Sequence, residues 1–454
     1  MEYSREQGDI NKSSARSRYW DRNLSLAARA VYEEDNRYFL HQSLSTPVLN
    51  VLSKAEGIYI YDMDGKPYID MHGNGVHNAG FNNDDVIEAV IAALRSKNTF
   101  SPRRYTNEHA VALAKKLVEI TPDGLDRVLF APGGSEAIEM AVMLAKQITG
   151  KWKTISFWDS YHGNGFQASS IGGERLFKAG NGPMVPGALH VEFPNYYRNP
   201  WGFDSEEAVD NEILRQMELL FEREGDIACV IGEPISATPI VPSSLFWERV
   251  KSLCEKHGAL LIFDEIIEGF GRTGRMFAAE HSVTPDILVL GKSLGGGVLP
   301  FAGIVTREEY NVLGHLSIGH FTHEKNGLCA SAGLAMIDYL ERHRLVENAE
   351  EVGRYALEWL EGLRERCPLV GNVNGVGLHI GVELVKDRAT KEKAIDEAEA
   401  VMYKAMERGV AFKIIESNVI TLRPSLVITK EQMRFALEQL ELCLQEVASG
   451  SYYY

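Results

Sequence analysis

The sequence predicts an α/β protein built on a mostly parallel central sheet. Short apolar runs (VLF, TISF, IACVI, ALLIF, ILVL and AGIV) recur from about Val128 to Val305, separated by amphipathic or loop segments. Continuous apolar runs are typical of parallel strands that helices cover on both faces. After Ser331 the pattern changes to long helices with a few strands, such as GLHIGVELV and VITLRP, which indicates a smaller α+β domain.

The length of 454 residues fits two domains or one large one. We expect an N-terminal segment over residues 1–75 that packs with the small domain. A large α/β domain follows over residues 76–330, and a C-terminal α+β domain covers residues 331–454. Within the first segment, GIYIYDMDGKPYIDMHGNG predicts a β-meander that turns at Asp64-Gly65.

The composition narrows the classes of partner. A formal charge of −16 disfavours nucleic acid and anionic membranes, because both bind basic protein surfaces. The five cysteines are scattered without a C-x-x-C pair, which suggests neither a disulfide framework nor a zinc site. No apolar run approaches the roughly 18 residues of a membrane span, and the N-terminus lacks the apolar core of a secretion signal. We therefore expect a soluble, cytoplasmic protein without a metal.

A single lysine, Lys292, follows the apolar run DILVL and precedes a chain of glycines. The triplet Gly291-Lys292-Ser293 resembles the end of a P-loop, but Asp286 stands where that loop needs its first glycine. A lysine at the mouth of a buried strand can lose its charge by desolvation and act as a nucleophilic amine. The alternative is a lysine that extends its ammonium group to the surface.

The stretch VLFAPGGSEAIEMAVMLAKQ predicts a strand, a glycine turn and an amphipathic helix. Its start is a candidate anion site, because Gly133 and Gly134 let the backbone approach closely and Ser135 offers a hydroxyl at a helix N-terminus. The alternative is that Ser135 only caps the helix, with Glu139 nearby in the first turns.

Two further stretches place polar residues at strand ends. ALLIFDEIIEGFGRTG ends a buried strand at Asp264, and the carboxyl ends of parallel strands line the ligand crevice of such sheets. Gly269–Gly274 spells G-x-G-x-x-G but neither follows the strand directly nor opens a clear helix, so the nicotinamide signal is weak. After TISF come Tyr161 and His162, of which the tyrosine could stack on a flat cofactor or simply pack.

Together these parts point to pyridoxal phosphate, which needs a phosphate cradle, a stacking ring, a carboxylate for its pyridinium nitrogen and a lysine. The sequence from about Gly57 to Thr429 resembles the class III aminotransferase family of fold-type I pyridoxal-phosphate enzymes. Four family motifs carry this resemblance, at residues 133–137 (GGSEA), 161–163 (YHG), 264–274 (DEIIEGFGRTG) and 290–300 (LGKSLGGGVLP).

The resemblance implies a role for each matching residue. Lys292 would hold the cofactor as a Schiff base and later shuttle protons, and Asp264 would pair with the pyridine nitrogen. Tyr161 would stack on one face of the cofactor ring, beside His162, and Ile266 would contact the other face. Glu233 would lie near the substrate. The phosphate would be held by Gly134, Ser135 and the neighbouring subunit's Thr322. Such shared sites imply a homodimer.

The sequence also departs from the family pattern. Lys325 in THEKN stands where a small glycine is usual, and Thr421 in TLRPSL replaces the arginine that binds an α-carboxylate in many members. Arg423 lies two residues further, on the same face if the strand persists. Arg103 and Arg104 lie in a loop that lines the substrate site in the family, and arginine forks suit a phosphonate or phosphate. They could equally pair with surface acids.

These departures favour a small anionic amine as substrate. The APGGSEA and THEKN variants resemble the branch of the family that acts as ammonia-lyases on 1-hydroxy-2-aminoethylphosphonate. A lyase that expels a β-hydroxyl needs no carboxylate site for a second substrate, whereas an aminotransferase usually needs one for its keto acid. Elimination to an aldehyde and ammonia is therefore our main prediction, and amino transfer to a keto acid is the alternative. Two further hypotheses lie outside the pyridoxal-phosphate enzymes: a nicotinamide-dependent oxidoreductase and a binding protein without catalytic activity.

Overall fold

The computed structural model describes residues 13–45, 48–97, 99–100 and 104–450. Its α-helices are α1 (Ser14–Asn23), α2 (Leu26–Tyr38), α3 (Asp84–Arg95), α4 (Glu108–Ile120), α5 (Gly134–Thr149), α6 (Phe166–Ile171), α7 (Glu206–Glu224), α8 (Phe246–His257), α9 (Gly327–Arg342), α10 (Leu345–Arg366), α11 (Ile395–Glu407) and α12 (Lys430–Ala448). Its strands are β1 (Leu52–Glu56), β2 (Tyr59–Asp62), β3 (Pro67–Asp70), β4 (Arg127–Ala131), β5 (Lys153–Phe157), β6 (Ala188–Val191), β7 (Ile227–Gly232), β8 (Leu260–Asp264), β9 (Ile287–Leu290), β10 (Ala302–Thr306), β11 (Val370–Val376), β12 (His379–Asp387), β13 (Glu392–Lys393), β14 (Val410–Ala411), β15 (Lys413–Ile415) and β16 (Val419–Leu422).

The contacts divide the chain into two compact units. One contains the residues up to 82 together with those from 348 onward, and the other contains residues 83–347. Helix α9 lies in the second unit, where it packs against α3 and α4. The domain limits inferred from the sequence stay a prediction.

The unit of residues 83–347 is built on a seven-stranded sheet in the order β4-β10-β9-β8-β7-β5-β6. Strands β6, β5, β7, β8 and β9 run parallel, and β10 is antiparallel to both of its neighbours, β9 and β4. All residues of β7, β8 and β9 are buried, which explains their continuous apolar runs. The predicted, mostly parallel sheet is confirmed, and β10 is its antiparallel exception.

The core of this unit lies between the sheet and α5. The buried face of α5 carries Ile138, Ala141, Val142 and Ala145, all without exposed surface, and these side chains pack against sheet residues such as Ile262. Their spacing of three and four positions gives the helix one apolar face. The packing fixes the first turn of α5 next to the carboxyl ends of the parallel strands.

The other unit contains two smaller sheets. One has the order β1-β2-β3-β14, and the other has the order β11-β12-β16-β15, with β13 paired to β12. The predicted meander is confirmed, since β2 and β3 pair antiparallel and the turn between them contains Gly65 at φ +80°. Strand β16 ends at Leu422. The strand therefore does not continue to Arg423, as it would have to for Arg423 and Thr421 to share one strand face.

Three features of the described residues concern membranes, cysteines and metal ions. None of their helices combines the length and the apolar character needed to cross a membrane. All five cysteines are buried and unpaired. Within the same residues, no group of three or more histidine, cysteine, aspartate or glutamate side chains is arranged to hold a metal ion.

Candidate active site

A cavity of about 240 Å³ lies at one edge of the seven-stranded sheet. Its lining residues are Gly134, Ser135, Tyr161, His162, Gly163, Glu233, Ala237, Asp264, Ile266, Ile267, Glu268 and Lys292. These residues come at or after the carboxyl ends of β4, β5, β7, β8 and β9. Because β4 is antiparallel to β10, which is antiparallel to β9, it points the same way as the parallel strands. All five strand ends therefore meet at one edge, the usual ligand crevice of such a sheet.

The glycine turn after β4 is shaped as a cradle. Helix α5 begins at Gly134, and its N-cap is Gly133, which has no side chain to satisfy the first N–H groups. Ser135 is not the N-cap of α5, because Gly133 occupies that position, and the Ser135 hydroxyl accepts a hydrogen bond from the backbone N–H of Asn164 at 3.1 Å. Gly163 has φ +123°, and a Cβ there would lie 2.4 Å from the Ser135 hydroxyl. This close approach leaves no room for a side chain at Gly163.

A buried histidine–aspartate pair lies at the end of β8. His162 Nδ1 is 2.8 Å from Asp264 Oδ2, and the two side chains are 0% and 4% exposed. The other carboxylate oxygen of Asp264 accepts the backbone N–H of Ile266 at 3.1 Å. Burial alone lowers the pKa of His162, but its hydrogen bond to Asp264 and the charge of that carboxylate raise it above the ordinary value. The pair therefore favours a protonated imidazole.

Two apolar groups line the same cavity. The Tyr161 ring is partly exposed and packs against Phe177, with ring centroids 4.4 Å apart. Ile266 lies close to the first turn of α5, because a Cβ on Gly134 would be 2.9 Å from its Cδ1 atom. A flat ring can be held between an aromatic and an aliphatic side chain of this kind.

Lys292 lies directly after β9, at the start of the 3₁₀ helix Lys292–Gly295. Its backbone is in the left-handed region at φ +44°, which is uncommon for a residue with a side chain. The side chain is half-buried and lines the cavity that contains Asp264 and Ser135. The structure thus brings together the lysine, the carboxylate and the glycine cradle that the sequence suggested separately.

Two glutamates also line the cavity. Glu233 follows β7, and its Oε2 atom accepts the backbone N–H of Ala237 at 2.5 Å. Burial raises the pKa of Glu233 to about 7. The sequence did not single out Glu268 as a site residue, nor the lining residues Gly163, Ala237 and Ile267, although the motifs at residues 161–163 and 264–274 contain all of them except Ala237. The one signal for Glu268 was a third acidic residue in DEIIEG, four positions after Asp264.

The remaining predicted residues are not among the lining residues. Arg104, Thr322 and Lys325 are exposed residues of the unit that contains the cavity. Arg423 is buried in the other unit, and Arg103 lies outside the described residues. The G-x-G-x-x-G stretch forms turns that precede the 3₁₀ helix Ala278–His281 and opens no α-helix, so a nicotinamide fingerprint is not formed.

Comparison with known proteins gives consistent matches over nearly the whole chain. Residues 41–444 match the family described as aminotransferase class-III. The chain is 39% identical to the (R)-1-hydroxy-2-aminoethylphosphonate ammonia-lyase of Vibrio splendidus, covering 99% of this chain and 97% of that protein. It is 34% identical to the leucine/methionine racemase of Thermococcus litoralis, covering 92% and 96% of the two chains.

Solved structures show the same likeness. An amine transaminase from an uncultivated Pseudomonas species, in its PLP-bound form, superposes with a TM-score of 0.85 at 30% identity and covers 90% of this chain and 98% of its own. An omega-transaminase from Thermomicrobium roseum superposes with a TM-score of 0.87 at 30% identity, covering 93% and 100%. These neighbours confirm the predicted fold-type I architecture.

Proposed function

Because this chain belongs to the class III aminotransferase family, a family of pyridoxal-phosphate enzymes, we propose that it is an ammonia-lyase for a small hydroxy-amino phosphonate or phosphate. The observation that carries the proposal is the 39% identity to an ammonia-lyase over 99% of the chain. The chemistry is the removal of an amino group from an anionic amine, giving an aldehyde and ammonia.

The cavity residues fit pyridoxal phosphate. Gly163 lets its segment approach Ser135 closely, since any Cβ there would collide with the Ser135 hydroxyl, and that hydroxyl with the N–H groups of the first turn of α5 is suited to a phosphate. The Nε2 atom of His162 is buried and has no hydrogen-bond partner among the described residues, as expected where a bound group completes the polar contacts. The buried carboxylate of Asp264 is suited to a protonated ring nitrogen.

Each cavity residue then has its own proposed role in the reaction. When bound, pyridoxal phosphate supplies an electron sink for the carbanion left by deprotonation. Lys292 Nζ would hold the cofactor and, once released, take the proton from the amine-bearing carbon. Asp264 would hold the ring nitrogen in its charged form, while His162 orients the carboxylate through Nδ1. Ser135 and the N–H groups of α5 would hold the phosphate, with Tyr161 and Ile266 on the two ring faces.

The carboxylate-binding position supports elimination over transfer. Thr421, which replaces the usual arginine by the family resemblance, is fully buried, and its hydroxyl donates to the backbone oxygen of Lys413 at 3.0 Å. This position therefore supplies no cation for a keto acid. Elimination removes a proton from the amine-bearing carbon and hydroxide from the neighbouring carbon, which together make one water molecule. Hydrolysis of the resulting enamine consumes one water molecule. The overall reaction therefore converts the substrate into the aldehyde and ammonia with no net change in water.

The proposal is tested with the purified, cofactor-loaded enzyme and (R)-1-hydroxy-2-aminoethylphosphonate. We expect ammonia and aldehyde in equal amounts without any keto acid. If ammonia stays at trace levels and alanine forms only when pyruvate is added, the enzyme is an aminotransferase. That second candidate is favoured by the solved neighbours named above, which are transaminases. No product under either condition would contradict both functions.

We also propose that the enzyme is a cytoplasmic homodimer in which Thr322 reaches the cofactor phosphate of the neighbouring subunit. The exposed position of Thr322, outside the cavity lining of its own chain, supports this arrangement. The five buried thiols suit a reducing compartment. For the substrate anion we propose Arg103, Arg104, Lys325 and Arg423 as candidates, because guanidinium and ammonium groups bind phosphonates.

A further inference from the structure

Glu268 is a carboxyl group on the wall of the cavity, four residues past Asp264 on the segment that leaves β8. Its relative exposure is 0%, yet it lines the same cavity as Lys292 and Ser135. A glutamate is rarely buried so completely, and its presence in a cavity of this kind indicates a chemical role.

The surroundings of Glu268 favour its protonated form. Burial raises its pKa well above the ordinary value, and the charges of Glu233, Asp264 and Glu265 add to the effect. The cationic groups on the cavity wall are Lys292 and His162, and His162 is paired with Asp264. These surroundings therefore favour the protonated form of Glu268, which can donate its proton.

The proposed elimination needs such a donor. Hydroxide is a poor leaving group, and protonation of the departing oxygen by a positioned acid lowers the barrier. Other wall residues are less suited to this task. Burial raises the pKa of the Tyr161 phenol, and the charge of Asp264 opposes proton loss from His162. Glu233 is the other buried glutamate of the wall, and its Oε2 atom is held by the backbone N–H of Ala237 at 2.5 Å.

We propose that Glu268 is the general acid that protonates the departing hydroxyl group of the substrate. The proposal rests on the ammonia-lyase function proposed above. Lys292 Nζ takes the proton from the amine-bearing carbon, the C–O bond breaks with its electron pair on oxygen, and Glu268 gives its proton so that water leaves. A C=C bond forms in the resulting enamine. The Lys292 ammonium group then protonates the enamine carbon, water hydrolyses the iminium to aldehyde and ammonium, and the ammonium returns a proton to Glu268.

The test compares two leaving groups in Glu268→Gln, which keeps the shape of a neutral carboxylic acid but has no acidic proton. The substrates are 1-hydroxy-2-aminoethylphosphonate and 2-amino-1-chloroethylphosphonate, because chloride leaves without a proton. We expect kcat/KM for the hydroxyl compound to fall by about 10²–10⁴-fold while the chloro compound reacts at close to the wild-type rate. Ammonia release measures both reactions.

A second readout does not depend on turnover. At pH 7, the infrared difference spectrum between wild type and Glu268→Gln should show a protonated carboxyl band that is separate from the band lost in Glu265→Gln, because burial also raises the pKa of Glu265 to about 8. The matched control is Glu265→Gln, which alters a buried glutamate with a pKa of about 8 that is not among the cavity-lining residues and accepts the N–H groups of Ala278 and Ala279. We expect this control to lower stability and to affect both substrates equally.

The outcomes separate the two proposals. Equal losses on both substrates in Glu268→Gln, or an unchanged rate on the hydroxyl compound, would contradict the acid role while leaving the lyase function intact. A leaving-group dependence in His162→Gln but not in Glu268→Gln would also contradict it. Absence of ammonia from the wild-type enzyme with both compounds would instead contradict the lyase function itself.

Discussion

His162 Nδ1 lies 2.8 Å from Asp264 Oδ2, and both side chains are buried. The pair links the YHG segment after β5 to the acidic segment after β8. It holds the carboxylate in one orientation, and although burial lowers the pKa of His162, the hydrogen bond to Asp264 and the charge of that carboxylate raise it above the ordinary value. The following prediction depends on this pair.

Asp264→Asn should abolish most activity and lower the free energy of unfolding by about 1.5–3 kcal/mol, because an amide oxygen accepts a hydrogen bond but carries no charge. Since the folded-state pKa of His162 is raised above the unfolded value of 6.5, the stabilisation is fully present below pH 6.5. It is lost as the pH rises through the folded-state pKa. The stability difference between wild type and variant should therefore shrink with increasing pH.

Urea denaturation from pH 5 to pH 9 measures this difference. Asp286→Asn is the matched control, because it removes the charge partner of Lys251 in another buried pair (Nζ to Oδ2, 2.5 Å) whose residues do not line the cavity. The control should lose stability yet keep its turnover number. A pH-independent difference for Asp264→Asn would show that the charged pair with His162 does not form.

Lys292→Ala should eliminate turnover, because no other lysine lines the cavity among the described residues. Borohydride treatment of the loaded wild-type enzyme should attach a pyridoxyl group at position 292, as detected by peptide mass spectrometry. The exposed residue Lys325 provides the comparison, and Lys325→Ala should still be labelled at position 292. Normal turnover in Lys292→Ala would refute the assigned role.

Gly163→Ala should weaken cofactor binding and lower the free energy of unfolding by about 1–3 kcal/mol, because its Cβ would lie 2.4 Å from the Ser135 hydroxyl. Gly202→Ala is the matched control, since Gly202 has φ +71° and a Cβ added there would meet no atom within 4 Å. Gly202→Ala therefore places a side chain at a positive φ, as Gly163→Ala does, but causes no steric clash. Equal pyridoxal-phosphate affinities for the two variants, measured by equilibrium dialysis, would exclude a cradle at Ser135.

Arg104→Ala should raise KM for the phosphonate substrate far more than for an uncharged amine, because a charge-assisted fork contact is lost. The expected cost of about 1.5–3 kcal/mol corresponds to roughly a 10–150-fold change. Arg215→Ala, which removes an exposed arginine paired with Glu212, should leave both KM values unchanged. If Arg104→Ala raises both KM values alike, the anion is bound elsewhere, with Lys325 and Arg423 the next candidates.

Thr322→Val should weaken cofactor retention by about 1.5–3 kcal/mol, as expected for loss of a hydrogen bond to a charged phosphate. If the threonine acts across a subunit interface, cofactor affinity should also rise with dimer formation. Sedimentation equilibrium combined with cofactor titration over a range of protein concentrations measures this dependence. A fully active monomer would refute the shared site.

The amino-acid sequence by itself determined the mostly parallel sheet and the main residues proposed to form the site. Continuous apolar runs exist because both faces of a parallel strand are buried, so β7, β8 and β9 could be recognised locally. The short motifs around Ser135, Asp264 and Lys292 were recognisable because each stands at the end of such a run. Strand direction then places them at one edge, and the structure confirms that they line one cavity.

Only the tertiary structure decided which neighbouring groups act on these residues. Burial depends on segments distant in sequence, so nothing local indicated that Glu268 has no exposed surface or that Glu233 has a pKa of about 7. The pairing of His162 with Asp264 joins positions 102 residues apart and required the order of β5, β7 and β8. The spacing of apolar residues in a sequence indicates whether a segment forms a helix or a strand. The pKa of a side chain depends instead on the groups that surround it in three dimensions.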